Sequence, residues 1–237
     1  DSRKIHKNDI FIELLIMSSF KVVVFISGEG TNLQYLINLV NAGVVNAKIV
    51  SVISNNASAN GLNRAKENNI PTQVVEWNKE SETREEYNIR LADVVSGYKY
   101  DVIYCLGWLF ILGKEFLSRH SRVINLHPAL PDELPGQNVT DKAFKAYEEG
   151  KITRSGVMVH EVVEKLDSGA SISSRMVMFN PDDTLETFRN RMSFAEKEVL
   201  LEGLRRYMSN TEYDMEQYNM ELGDINKVIQ YGKVRDY

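Results

Sequence analysis

The sequence predicts an α/β protein built on an open, mostly parallel twisted sheet with helices on both faces, Rossmann-like in outline. Three observations predict it. Short apolar, β-rich runs alternate with stretches of helical period through the first half. The first such run, Lys21-Val22-Val23-Val24-Phe25-Ile26, feeds a glycine turn, Ser27-Gly28-Glu29-Gly30, that opens a helix. In the C-terminal half, two β-rich runs joined by Glu164-Lys165-Leu166-Asp167-Ser168-Gly169 read as an antiparallel pair added to the sheet.

In order, residues 21–27 are near-continuously apolar, as a strand buried on both faces demands. A helix follows over about 32–41, a second strand over 47–54, a helix near 60–68 and a short third strand over 72–75. Residues 82–97 read as helix, 101–106 as strand and 114–119 as a short helix. Residues 123–126 form a short strand that runs into Pro128, Pro131 and Pro135, three of the five prolines, so a long stiff loop is expected. A helix near 140–149 precedes the two added strands, 156–163 and 170–179. Residues 184–208 carry Leu185, Phe188, Met192, Ala195, Val199 and Leu200 at helical spacing and close a single domain over 20–208.

At 237 residues with 43% hydrophobic content, the chain is long enough for a substantial core. Its formal charge of -5, without a long Lys/Arg block, argues against a nucleic-acid or membrane-surface partner and leaves room for a small anion held locally. The single cysteine, Cys105, excludes an internal disulfide framework and fits a reducing, cytoplasmic compartment. Within Val102-Ile103-Tyr104-Cys105-Leu106 it reads as a buried strand thiol. Residues 1–19 contain Ile10-Phe11-Ile12-Glu13-Leu14-Leu15-Ile16-Met17, a short apolar core interrupted by Glu13 with no small-residue cleavage site, and read as a leader or added extension. Residues 209–237 read as a polar C-terminal tail. The histidines are dispersed, and no Cys/His cluster has ligand spacing, so no metal is expected.

A strand that turns through glycines into a helix start presents free N–H groups and a positive dipole end, which suit a phosphate. Thr31 and Asn32 add side-chain donors. A dinucleotide site would need a third glycine where Leu33 stands and an acid after the second strand, which instead ends in Ser54-Asn55-Asn56. A Walker loop fails too, lacking Gly-Lys-Ser/Thr. A tight turn without ligand explains the same residues equally well. The strand over 123–126 delivers Asn125-Leu126-His127-Pro128 to the sheet's carboxyl edge, with Asn125 and His127 on one side. An amide that donates to a developing oxyanion, beside an imidazole that exchanges a proton near neutrality, is the pairing an acyl-type transfer needs. Asp167, between the two added strands, supplies a carboxylate for the imidazole.

These residues resemble a known family. The ordered set Ser27-Gly28-Glu29-Gly30-Thr31-Asn32-Leu33, Asn125-Leu126-His127-Pro128-Ala129-Leu130, and Val159-His160 leading into Leu166-Asp167-Ser168-Gly169 resembles the phosphoribosylglycinamide formyltransferases, folate-dependent enzymes of purine synthesis. The resemblance implies transfer of the formyl group of 10-formyltetrahydrofolate to the amine of 5'-phosphoribosylglycinamide, with Asn125, His127 and Asp167 as catalytic residues and no metal. It places Gly30, Thr31, Asn32, Pro128 and Glu196 on the ribonucleotide. Arg84, Leu109, Phe110, Ile111, Leu112, Val163, Glu164 and Leu166 fall on the folate side. His160 and Asn138 are supporting positions, His160 standing equally well as core packing. The implied partners are small molecules, and the implied assembly is a monomer or homodimer.

The chain departs from the family pattern at three places. Phe110 stands where many relatives carry Arg in Phe-Met-Arg-Ile-Leu, the Leu-Leu-Pro run becomes Leu130-Pro131-Asp132-Glu133-Leu134-Pro135, and Gln137-Asn138-Val139-Thr140 replaces a stretch that often holds a histidine. Alternatives are a 10-formyltetrahydrofolate hydrolase, whose relatives carry a regulatory domain, and a noncatalytic nucleotide-binding protein. The tRNA-directed formyltransferases share the Asn-x-His-Pro and Asp elements but carry a basic RNA-binding domain.

Overall fold

The computed structural model describes residues 19–134 and 136–210. The expectations of a leader and a polar tail otherwise fall outside these residues. Among the described residues seven strands and six helices follow one another: β1 (Phe20–Ile26), α1 (Thr31–Asn41), β2 (Ala47–Ser54), α2 (Gly61–Glu67), β3 (Thr72–Val74), α3 (Arg84–Ser96), β4 (Val102–Cys105), α4 (Lys114–Leu117), β5 (Val123–His127), α5 (Val139–Glu148), β6 (Arg154–Glu161), β7 (Ser171–Met178) and α6 (Leu185–Asn210). They form one sheet in the order β3-β2-β1-β4-β5-β6-β7. The first five strands are parallel, while β6 and β7 run antiparallel. Among the described residues no helix is long and apolar enough to cross a membrane.

The continuous apolar character of β1 follows from its central place. Val22, Val24 and Ile26 enter a core shared with α1, α2, α5 and α6, whereas Val23 and Phe25 enter a second core under α3 and α4. Alternation across the pleat thus puts one strand into two cores. Tyr104 on β4 crosses the first core, and its hydroxyl donates to the carbonyl of Leu200 on α6 at 3.1 Å.

Among the boundaries that differ from expectation, three have local reasons. Helix α3 starts two residues late, because Thr83 is its N-cap: Thr83 Oγ1 accepts from the Glu86 amide at 3.2 Å while Glu86 Oε2 accepts from the Thr83 amide at 2.8 Å. Strand β6 begins at Arg154, earlier than its apolar run suggests, since Arg154 and Ser155 pair with Met178 and Val177. Helix α6 continues to Asn210, into the stretch read as tail.

Strand order reverses direction from β1, with β2 and β3 on one side and β4 and β5 on the other. Open α/β sheets bind ligands in the crevice at such a switch point, outside the strands' carboxyl ends. The turns after β1, β4 and β5 all open there.

Candidate active site

The turn after β1 is dictated first by packing. Gly30 adopts φ +70° and caps α1, and a Cβ on it would stand 2.6 Å from the Gly61 Cα. Gly61 opens α2 and donates its amide to the Gly28 carbonyl at 3.1 Å. The close helix–turn contact is therefore made between two glycines, Gly30 and Gly61, so Leu33 is free to enter the core. Helix α1 has no side-chain cap, and its first bond runs from the Gln34 amide to the Gly30 carbonyl (2.9 Å). The amides of Thr31, Asn32 and Leu33 thus lack helical acceptors at a positive dipole end.

Asn32 Nδ2 donates to Glu196 Oε2 on α6 at 2.9 Å, joining the helix start to the opposite wall. Enclosure raises the Glu196 pKa from its ordinary value, with the Asn32 amide opposing that shift. A folded-state value above the unfolded one gives a stability contribution that is full in acid and lost as pH rises through the folded value. Glu196→Gln keeps an acceptor for Asn32 but cannot ionise. Its melting temperature exceeds that of the wild type at pH 8, and the difference closes as pH falls below the ordinary carboxylate range; thermal melts across pH check this.

The end of β5 carries the polar cluster. Asn125 and His127 lie on one face, and antiparallel pairing sets His160 of β6 directly opposite Asn125 and diagonal to His127. The two imidazoles meet edge to face at 6.2 Å between centroids. Asp167 adopts φ 50° in the β6–β7 connection, which aims its carboxylate between them: Oδ2 is 3.8 Å from His127 Nε2, and Oδ1 is 3.6 Å from His160 Nε2. The Gly136 amide donates to Asp167 Oδ2 at 3.0 Å. His127 Nε2 lies 3.2 Å from the Leu134 carbonyl, an acceptor only, so that nitrogen carries a hydrogen. Burial lowers the pKa of His160, against the smaller upward pull of its bond to the Glu161 carbonyl and of Asp167.

This cluster forms one end of a cavity of about 180 Å³. The remaining wall is mostly apolar: Trp108, Leu109, Phe110, Ile111 and Leu112 from the loop after β4, Val162, Val163 and Leu166 from the β6–β7 connection, and Cys105 beside Asn125. The wall is tied to the phosphate-type turn, since Ser27 Oγ accepts from the Leu109 amide at 2.9 Å and the Ser27 amide donates to the Gly107 carbonyl at 3.0 Å. Gln137 Nε2 closes the far side by donating to the Leu109 carbonyl at 3.0 Å. A buried, unpartnered donor, Trp108 Nε1, belongs to a lining residue. Apolar walls with a few hydrogen-bonding groups and a polar end made by Asn125, His127 and Asp167 are the make-up of a small-molecule pocket. Among the described residues no group of three or more His, Cys, Asp or Glu is arranged to hold a metal ion.

The model of the formyl transferase family matches residues 20–204, which span the sheet and every residue of this cluster. The chain belongs to the formyl transferase family. Curated members similar to it include the phosphoribosylglycinamide formyltransferase of Dictyostelium discoideum, 37% identical over 200 residues, covering 79% of this chain and 97% of that protein. The Saccharomyces cerevisiae enzyme of the same name is 39% identical over 201 residues, covering 77% of this chain and 94% of that one. The crystal structure of phosphoribosylglycinamide formyltransferase from Bacillus halodurans superposes with a TM-score of 0.74 at 26% identity, over 81% of this chain and 97% of that chain.

Within this formyl transferase, Asn125, His127, His160, Asp167, Leu109, Phe110, Ile111, Leu112, Val163, Glu164 and Leu166 share the one cavity. Arg84 does not line it: its guanidinium lies over the Trp77 ring at 5.3 Å and the Phe110 ring at 5.9 Å, on the outer side of Phe110. Phe110 itself packs against Tyr87 at 4.4 Å and Trp77 at 5.4 Å, which joins the wall to an aromatic cluster. Pro128 and Asn138 are also off the cavity. Asn138 is a left-handed N-cap of α5 whose side chain makes no capping bond. Cys105, Trp108, Gly136, Gln137 and Val162 line the cavity without having been expected there. For Trp108 and Val162 the signal was adjacency to expected wall residues. For Gly136 and Gln137 it lay hidden in an irregular proline-rich loop.

Proposed function

We propose that this family member transfers the formyl group of 10-formyltetrahydrofolate to the amine of 5'-phosphoribosylglycinamide, giving 5'-phosphoribosyl-N-formylglycinamide and tetrahydrofolate in purine biosynthesis. The observation that carries the reading is the convergence of Asn125, His127 and Asp167 at the polar end of an otherwise apolar cavity, bonded through Ser27 and Leu109 to the turn before α1. The amides of Thr31 to Leu33, with Gly30 turning the chain, receive the ribonucleotide phosphate, and Glu196 and Asn32 bound the same substrate. The wall 108–112 and the connection 162–166 hold the pterin, with Arg84 outside Phe110 toward the rim.

The folate supplies the formyl carbon, and this chain supplies donors and a proton path. As the substrate amine attacks, charge gathers on the formyl oxygen. The Asn125 amide and His127 Nε2–H donate to that oxygen, which takes the place of the Leu134 carbonyl on His127. Asp167, held by the Gly136 amide, orients the imidazole and accepts the proton leaving the attacking nitrogen, passing it through water to the departing folate nitrogen. No covalent enzyme intermediate forms. The substrates are small molecules, with neither nucleic acid nor membrane required. A cytoplasmic setting fits the single cysteine, free and buried, and a monomer or homodimer suffices because the cavity is built from one chain.

The test mixes purified protein with 10-formyltetrahydrofolate and follows the deformylated folate with and without phosphoribosylglycinamide. Release that requires the amine is expected. Release without it identifies a hydrolase, and no release identifies a noncatalytic binding protein.

A further inference from the structure

The cluster contains a second histidine that the mechanism does not use. His160 is buried, and both of its ring nitrogens are engaged. Nδ1 lies 2.8 Å from the Glu161 carbonyl, which can only accept, so Nδ1 carries the ring's hydrogen. Nε2 lies 3.2 Å from Asn125 Nδ2, and a hydrogen bond there requires a lone pair on Nε2. Both bonds are made only by a neutral ring with its proton on Nδ1. The end of the Asn125 carboxamide that faces β6 is then decided: its nitrogen turns to His160, which leaves the second N–H of that nitrogen for an acceptor in the cavity.

We propose that His160 is a positioning residue whose neutral Nδ1–H form fixes the amide orientation of Asn125, and whose protonation reverses that amide and switches off the oxyanion donor. A proton on Nε2 would set two donors against each other across 3.2 Å. The amide relieves this by exchanging its oxygen for its nitrogen, and the N–H aimed at the reacting carbonyl is lost. The titratable groups facing the ring are Asp167 in the β6–β7 connection, which favours the charged ring, and His127 on β5, which disfavours it along with burial. Strand β7 sets only Ser171 opposite. The two oxygens of Asp167 face different imidazoles, Oδ2 that of His127 and Oδ1 that of His160.

The inference rests on the proposed reaction for its kinetic consequence but not for its structural one, so the two are tested separately. Nitrogen-15 spectra of the histidine rings in the ligand-free protein at neutral pH should show His160 as the neutral Nδ1–H tautomer. An Nε2–H tautomer, or a charged ring, would overturn the proposal whatever the enzyme's substrate. In kinetics, His160→Leu removes the acceptor and lowers kcat by about tenfold or more, short of the about hundred- to thousandfold for losing an oxyanion donor outright. Both KM values stay within a few fold. His160→Gln restores a fixed acceptor and recovers most of the lost kcat, with a shallower decline toward acid than the wild type. Equal losses in both variants, or unchanged pH dependence in the glutamine variant, would assign His160 to packing alone.

Discussion

Replacing His127 with alanine lowers kcat by about a hundred- to a thousandfold, the worth of one oxyanion donor, while phosphoribosylglycinamide binding changes by no more than a few fold. The separation follows from where the contacts lie. His127 is buried at the end of β5, and its polar neighbours are Asp167, His160 and the Leu134 carbonyl. The proposed phosphate seat is the turn before α1, braced by Gly61 and by the Asn32–Glu196 bond. Removing the imidazole deletes a donor to the formyl oxygen and leaves that seat intact. Isothermal titration with the ribonucleotide and single-turnover rates on the same preparation check both halves. A large loss of affinity with a normal residual rate would instead place His127 in ground-state binding.

The second large effect belongs to Asn125. Its alanine variant is expected to lose about a hundred- to a thousandfold in kcat, as for deletion of one oxyanion donor. It also loses stability, because His160 Nε2 is left buried without its donor at a cost of about 1–3 kcal/mol. The two losses are separable: chemical denaturation reports the second, and kcat measured on fully folded protein reports the first. Because Asn125 and His127 donate to the same oxygen, the double variant falls well short of the product of the single losses.

Much of the fold was legible because period and punctuation agree. β1 reads as doubly buried since every residue from Val22 to Ile26 must enter one core or the other. The helix starts were harder, because Thr83 caps α3 by reciprocal bonds that a hydrophobic pattern does not reveal. The placing of Asn125 and His127 on one face was legible from sheet geometry: they are two apart on a strand that ends at the switch point. What the sequence hid was the proline-rich loop. The Leu134 carbonyl on His127, the Gly136 amide on Asp167 and the Gln137 side chain on Leu109 are all made by a segment with positive φ at Asp132, Leu134, Gly136 and Asn138. No hydrophobic period encodes such a path, and two of those contacts use backbone groups that every residue type possesses. His160 stood equally for packing and support because burial suits both.

The most direct test is a crystal structure of the protein with phosphoribosylglycinamide and a nonreactive analogue of 10-formyltetrahydrofolate. The phosphate should accept from the amides at the start of α1, and the carbonyl standing in for the formyl group should accept from Asn125 and His127. Asp167 should lie within one water of the attacking amine. A phosphate seated away from Thr31 to Leu33, or a carbonyl turned away from Asn125 and His127, would contradict the assignment of formyl transfer to this cavity.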